Sequence, residues 1–471
     1  MRSLSIEDVA QIIGAKPLSG KIPPHATAAG VSIDSRQTVP GDLFFALPGE
    51  KTDGHEFVKA AFSAGAAAAV VQRHPPGLEE MPAAVLLQVT DVLRALQELA
   101  RWYRRQQVLP LVGVTGSTGK TTTKDLIAAV LSQRYCTLKT SGNYNNEIGL
   151  PLTLLNLSPQ HQVAVVEMAM RGPGEISHLC SIAAPSIGVI TNIGHTHQEL
   201  LGSQANIARA KGELLASLPP QGWAVLNGND PWLVSLAQQA PCPVLYYGLE
   251  EEPSEVMLQV SAGQIRSRGR EGAVYQVRLP DQQGEVQLSV PGRHNVLNSL
   301  AALAVGYLMG MKLEEMAPGL TQARLTAMRL EIKSGINQTT IINDAYNANP
   351  DSMRAALRAL RDLAGGRSIA VLGEMYELGD YAQEGHNIVG AEAVRQGVSL
   401  LVTVGRLASH IAEGAVAAGL DPGRSVHFGD NQAAAAFLRQ ELTAGDTVLV
   451  KGSRGMRMEQ VVDALTEKPE G

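Results

Sequence analysis

The stretch GVTGSTGKTTTKDL, Gly113–Leu126, decides how the rest of the chain is read. An apolar run, LVGVTG, enters it, and TTKDLIAAVLSQRY leaves it with helical periodicity, so the order is strand, glycine loop, helix. Glycines at 113, 116 and 119 let backbone N–H groups approach phosphate oxygens, and the helix that follows turns the positive end of its dipole toward them. Lys120 then reaches the β- and γ-phosphates, Thr121 stands where a hydroxyl meets Mg²⁺, and Thr115, Ser117, Thr118 and Thr122 belong to the same nucleotide site. One detail departs from the generic G-x-x-x-x-G-K-[ST] pattern: Val114 occupies the first glycine position, and the nearest glycine is Gly113.

Composition bounds what surrounds this loop. At roughly 150 residues per domain, the 471 residues imply about three domains. A formal net charge of -6 gives no long-range attraction for nucleic acid or acidic membranes, so any anion site is built locally. Cys136, Cys180 and Cys242 are odd in number and far apart, which excludes a disulfide framework and fits a reducing compartment. The start, MRSLSIEDVAQIIGA, lacks the apolar core and cleavage site of a signal peptide, and no apolar run approaches a bilayer-spanning length. The expectation is a soluble, cytoplasmic protein.

Working outward, the expected fold class is α/β in three domains. Residues 1–108 alternate short β-like runs (DLFFALPG) with Ala-rich helical runs (FVKAAFSAGAAAAVV) and end in the helix-like VLRALQELARWYRRQQ. Residues 109–324 hold the glycine loop, the strand-like VAVVEMAM, SIGVITNIG and GWAVLNGND, a β-rich polar segment near 256–290, and the helical GRHNVLNSLAALAVGYLMG. That pattern implies a mostly parallel sheet covered on both faces. Residues 325–471 restart at TTIINDAYNANP and continue through SIAVLG, LLVTVG, SVHFG and DTVLVKG with helices between, a Rossmann-like doubly wound domain. In its first helix Met353, Ala356, Leu357, Leu360 and Leu363 share one face.

Several further residues fall at the ligand-binding edges of these sheets. Glu167 ends VAVVE and is either a Mg²⁺ ligand or a solvated strand-end carboxylate. His195 and His197 follow the next strand as ligands or as polar loop residues. Lys211, in ANIARAKGEL, reads from its neighbours as a solvated helix-face lysine. Asn295 and Asn298, three apart, either present amides to a base edge or divide into a helix cap and an exposed amide. Asp344, Tyr346, Asn347 and Asn349 crowd a strand end before Pro350 as a binding cluster or a helix-capping turn. Lys451, Ser453 and Arg454, in KGSR, have the makings of a carboxylate or phosphate clamp.

With these motifs in place, the chain resembles the Mur ligase superfamily over nearly its whole length. The offset glycine of GVTGSTGKTTT is the rule in that family's ATP loop. DSR at Asp34–Arg36 with PGDLFFALPGEKTDGHEF is similar to its uridine-nucleotide domain, and NYNNEIGLP, VVEMAMRGPGEI, TNIGHTHQELLGS and AKGEL follow the family order. The resemblance implies that ATP and two Mg²⁺ activate a carboxylate, with Lys120, Glu167, His197 and Lys211 at the catalytic centre. Thr121, Glu167, His197 and a carbamylated Lys211 would hold metal; the family pattern selects His197 over His195. It implies Asn295 and Asn298 at adenine, Arg329 at the phosphates, Asp344 at the ribose, with ATP enclosed only when the third domain closes. Ser35, Arg36, Asn143, Asn145, Asn146, Tyr346, Asn347, Lys451 and Arg454 become substrate contacts. NDAYNANPDSM and VLVKGSRGMRMEQ are similar to the branch that joins D-alanyl-D-alanine to UDP-N-acetylmuramoyl-tripeptide. The sister branch, which forms the tripeptide, carries a D-x-P-R motif where this chain has FGDNQAA. A folate polyglutamate ligase would lack the uridine segment, and a nucleotide switch or motor ATPase would be expected to carry a base-reading N-K-x-D or an Arg-rich partner surface. The implied protein is a monomer that binds neither nucleic acid nor membrane stably.

Overall fold

The computed structural model describes residues 3–19, 22–49, 52–78, 81, 83–196 and 198–467. They form two compact units: one of 1–113, 135–170 and 174–187, the other of 114–134, 171–173 and 188–471. The units do not follow chain order, and in the first the reason is the helix Val92–Arg105. It packs its apolar stripe on the helices Gly149–Leu155 and Glu175–Ala183. It is also bonded there: Tyr103 Oη donates to Leu157 O at 2.7 Å, Arg104 Nε to Ala183 O at 2.8 Å, and Gln97 Nε2 to Glu147 O at 3.0 Å. Burial pulls the Arg104 guanidinium below its ordinary pKa, and carbonyl oxygens satisfy its donors.

The first unit also holds a five-stranded sheet. Its parallel core is Gly30–Ser32, Asp42–Phe45, Ala68–Val71 and Leu86–Gln88, with Lys16–Ser19 antiparallel at one edge. Here the structure corrects the reading of FVKAAFSAGAAAAVV as one helical run. The helix Val58–Ser63 stops before Gly65, which has φ +98°, and Ala68–Val71 is a strand with every residue buried. Alanine's local helix preference gives way to burial between two parallel neighbours.

In the second unit, the strands Ile187–Ile190, Trp223–Asn227, Val244–Leu249, Val260–Ser267, Ala273–Arg278 and Gln283–Leu288 lie side by side in that order. The last two pairings are antiparallel, and Val244–Leu249 (VLYYGL) is a strand the sequence reading did not mark. A second, six-stranded sheet runs Glu331–Gly335, Thr339–Asp344, Thr447–Lys451, Ser368–Gly373, Leu400–Val404, Ser425–Phe428. Alternate residues feed two cores. Ile342, Ala370, Leu372 and Leu449 pack with Met353, Leu357 and Leu360 on one face; Ile341, Ile369, Val371 and Val448 pack with Leu438, Val461 and Leu465 on the other. That is the doubly wound arrangement expected, with a correction at its edge: Glu331–Gly335 pairs antiparallel with Thr339–Asp344. No helix among the described residues is long and apolar enough to cross a membrane.

Candidate active site

The glycine loop is built as its sequence requires. The strand Leu111–Thr115 is buried throughout and the helix Lys120–Leu131 follows at once. Gly116 (φ +145°) and Gly119 (φ +78°) hold backbone that L side chains rarely adopt. A Cβ at Gly116 would overlap Thr191 Oγ1, and one at Gly119 would come within 2.8 Å of Asn298 Oδ1. No side chain caps this helix, and its start turns the positive end of the helix dipole toward the loop. Lys120 folds over the loop, donating from Nζ to Gly116 O at 2.8 Å and Ser117 O at 3.3 Å.

What holds the loop is the TNIG stretch, whose Thr191, Asn192 and Gly194 the sequence reading did not single out as site residues. Asn192 O accepts from Ser117 N at 3.0 Å, Asn192 Oδ1 from Thr118 N at 3.0 Å, and Asn192 Nδ2 donates to Thr118 Oγ1 at 2.8 Å. Thr191 Oγ1 donates to Thr118 O at 2.6 Å, and Gly194 N to Ser117 Oγ at 2.8 Å. Asp230 supports this segment in turn by accepting from Ile193 N at 2.8 Å, and its own burial raises its pKa. His195 stacks on Tyr381 with ring centroids 4.9 Å apart, while its N–H faces Asp351 Oδ2 at 3.3 Å.

Glu167 is 2% exposed rather than solvated. Its Oε1 accepts from Asn145 Nδ2 at 2.8 Å, and its Oε2 has no hydrogen-bond partner among the described residues. Asn143 is exposed nearby in sequence. Asn146 is exposed as well, and its Oδ1 accepts from Ile148 N and Gly149 N just ahead of the helix Gly149–Leu155. Lys211 corrects the face-residue reading: it is 1% exposed. Burial holds its ammonium well below the ordinary value, and the nearby Lys120 charge pushes the same way. His197 lies outside the described residues.

Asn295 and Asn298 are both buried in the helix Arg293–Leu308, where Asn298 Nδ2 donates to Asn295 Oδ1 at 3.1 Å and Asn295 Nδ2 to Pro291 O at 2.7 Å. Arg329 Nη2 donates to Thr121 Oγ1 at 3.0 Å, with its guanidinium carbon 4.4 Å from the centre of the Tyr346 ring. Asp344 Oδ2 accepts from Lys451 Nζ at 2.6 Å, and Lys451 Nζ also donates to Asn347 O at 2.9 Å. Lys451 is therefore an inward counter-charge, not an open clamp; burial lowers its pKa and Asp344 opposes that shift. Arg454 is the exposed cation of KGSR, 3.0 Å from Glu459. At the other end of the chain, Arg36 grips Asp34 through Nε at 2.9 Å and Nη2 at 2.6 Å, beside Ser35, and that bond holds the Asp34 carboxyl at about 2.

Three stretches match family models: residues 27–104 that of the Mur ligase family catalytic domain, 114–306 the Mur ligase middle domain, and 328–454 the Mur ligase glutamate ligase domain. A Bacillus subtilis relative named UDP-N-acetylmuramoyl-tripeptide--D-alanyl-D-alanine ligase is 39% identical over 441 residues, covering 93% of each chain. This chain belongs to the Mur ligase family. Among solved structures, MurF from Acinetobacter baumannii superposes with a TM-score of 0.88 at 32% identity over 99% of both chains. MurF ligase from Thermotoga maritima in complex with ADP gives 0.79 at 28%, over 92% of this chain and 96% of that one.

Membership in the Mur ligase family brings Mg²⁺ into question, and one feature here fits it. The orphaned, buried Glu167 Oε2 is the hard oxygen donor such a cation takes. No cluster of three or more His, Cys, Asp and Glu side chains fit to hold a metal occurs among the described residues. The supporting residues Asn192, Asp230 and Asp351 left no motif to find; only the N in TNIG, which begins the family's Asn-to-His spacing, was a signal.

Proposed function

We propose that this Mur ligase family member joins D-alanyl-D-alanine to UDP-N-acetylmuramoyl-tripeptide, with ATP converted to ADP and phosphate. The observation that carries the reading is the uncapped phosphate-loop helix with Lys120 over its loop and Arg329 delivered onto Thr121. The name of the B. subtilis relative supports the choice of substrates. The domains are taken as 1–108 for the uridine substrate, 109–324 for ATP, and 325–471 for the incoming dipeptide.

In the reaction, a tripeptide carboxylate oxygen attacks the γ-phosphorus and the bond to ADP breaks, leaving an acyl phosphate. The dipeptide amine then attacks the acyl carbon, phosphate leaves, and the amine gives up a proton. The chain's task is positioning and charge compensation, since phosphoryl transfer asks little covalent chemistry of the protein. The loop N–H groups of residues 113–122 and Lys120 hold the phosphates, Arg329 joins them, Asn295 and Asn298 meet adenine, and Asp344 the ribose. Mg²⁺ would be held by Glu167, Thr121, His197 and Lys211 as its carbamate, and when bound it supplies positive charge against the transferring phosphoryl group. Ser35 and Arg36 take the uridine end of the substrate, and Asn143, Asn145 and Asn146 its peptide. Arg454 pairs with the dipeptide carboxylate, while Lys451, Asn347 and Tyr346 shape its surroundings. A monomeric, cytoplasmic enzyme without nucleic-acid or stable membrane partners completes the proposal.

The test is phosphate release by purified protein given ATP, Mg²⁺ and UDP-N-acetylmuramoyl-tripeptide, with D-alanyl-D-alanine, D-alanine, diaminopimelate or lysine in turn. Release that needs both the tripeptide and D-alanyl-D-alanine, with the pentapeptide found by mass, is expected. Release with the UDP-dipeptide and one amino acid would replace this reading with the tripeptide-forming one.

A further inference from the structure

Arg329 sits on a short segment whose backbone is under strain. The residues on both sides of it are in the left-handed region without being glycine, Met328 at φ +62° and Leu330 at φ +49°. Such a conformation persists only where the surroundings over-determine it. The anchors are visible. Downstream, Leu330 N donates to Asp344 Oδ1 at 3.2 Å, and Met328 N to Glu331 Oε2 at 3.2 Å. Upstream, Asp125 Oδ2 accepts twice from one residue, from Thr326 N at 2.8 Å and from Thr326 Oγ1 at 2.8 Å.

Asp125 is only 2% exposed, and its other oxygen lies 3.1 Å from Lys124 Nζ. It stands on the phosphate-loop helix one turn after Thr121, so the two residues share a face. One helical turn thus carries both the hydroxyl that Arg329 bonds and the carboxylate that fixes the start of Arg329's segment.

We propose that Asp125, acting through Thr326, is a positioning residue that aims Arg329 at the phosphate loop. The inference rests on the reading of Arg329 as a phosphate contact. Thr326 Oγ1 is the part of the clamp that a substitution removes with least disturbance, because the backbone N–H bond to Asp125 survives. Loosening it lets the strained turn relax, and the guanidinium leaves its place over Thr121. A small misplacement of a phosphate-binding group is enough to slow phosphoryl transfer.

The experiment is a double-mutant cycle in the full-length protein with Thr326→Val and Arg329→Ala, read as kcat and as KM for ATP and for the UDP-substrate. Thr326→Val is expected to lower kcat by roughly tenfold, leave KM for the UDP-substrate unchanged, and have no further effect once Arg329 is alanine. Thr326→Ser, which restores the hydroxyl, is expected to return kcat to within about twofold of the parent. If Arg329→Ala leaves turnover untouched, the phosphate-contact reading of Arg329 fails. If Arg329→Ala is slow but Thr326→Val is not, or the two losses multiply, the positioning role of Asp125 and Thr326 is wrong. Melting temperatures of all variants without nucleotide separate these outcomes from unfolding, and Asp125→Asn with normal kcat and normal stability would also overturn the inference.

Discussion

Two strand–loop–helix turns in this molecule have the same topology and opposite finish. At Leu111–Leu131 the loop ends in a left-handed Gly119 and no side chain caps the helix. At Thr339–Leu363 the loop ends in Asn349, whose Oδ1 accepts from Ser352 N at 2.9 Å, Ser352 Oγ accepts from Asn349 N at 3.1 Å, and Pro350 occupies the first helical position. The first helix has no side-chain cap and its lysine lies across the loop; the second is capped internally, and the lysine near it, Lys451 of the neighbouring strand Thr447–Lys451, pairs with Asp344. The glycine conformation and the lysine over the loop, together with the absent side-chain cap, set the first turn apart from the second.

The sharpest way to break this contrast is Lys120→Ala. Its Nζ bonds Gly116 O and Ser117 O of its own loop, so folding should change far less than turnover, which drops by roughly 10³-fold. Phosphate-release kinetics beside a melting curve measure both; a variant that keeps its rate would mean the open helix start is not the phosphate site. The opposite pattern is expected for Lys451→Met, which leaves the part-buried Asp344 without its counter-charge and should destabilise by about 2 to 3 kcal/mol. Denaturant titration checks that loss, and Lys451→Met with Asp344→Asn should recover part of it. Asn349→Ala removes a cap alone and should cost about 1 kcal/mol without changing KM for ATP. A large change in that KM would show that the second turn binds nucleotide after all.

The smallest expected effect is a pH dependence at His294, which lies among Asp344, Lys451, Arg358 and Asp362. Burial holds its imidazole down to about 4, against an ordinary 6.5. The unfolded chain therefore takes up a proton first as pH falls, so this residue's contribution is complete above about pH 6.5 and is lost progressively toward pH 4. A shift of that size would be worth about 3 kcal/mol in full burial; because the imidazole keeps part of its surface in water, about 1 kcal/mol is expected. The measurement is the stability difference between the parent and His294→Gln across that window, and a difference that does not vary with pH would remove His294 from the account.

How much of this was legible beforehand follows the range of the interaction concerned. Loop, strand and helix around Gly113–Leu126 were readable because glycine conformation, strand apolarity and helical period are local properties. The doubly wound third region was readable for the same reason, through buried runs such as SIAVLG and DTVLVKG. VLYYGL and the antiparallel Glu331–Gly335 were missed, since short mixed strands are defined by the neighbours they pair with. AAAAVV was read as helix because alanine composition speaks for local preference and is silent about burial.

Among the candidate site residues, Lys120 and Thr121 stand out in the sequence by their spacing and Glu167 by its place at a strand end, and membership in an ATP-using ligase family was legible there too. What only the tertiary structure decided is which polar groups are already spoken for. Lys451 and Asp344, 107 residues apart, neutralise each other; Asn146 Oδ1 bonds the backbone just ahead of Gly149–Leu155; Lys211 is buried near another cation; Asp125 and Thr326, 201 residues apart, brace the turn that carries Arg329. A buried charge or donor must find a partner, and that partner is chosen by proximity in space, which no local pattern of residues records.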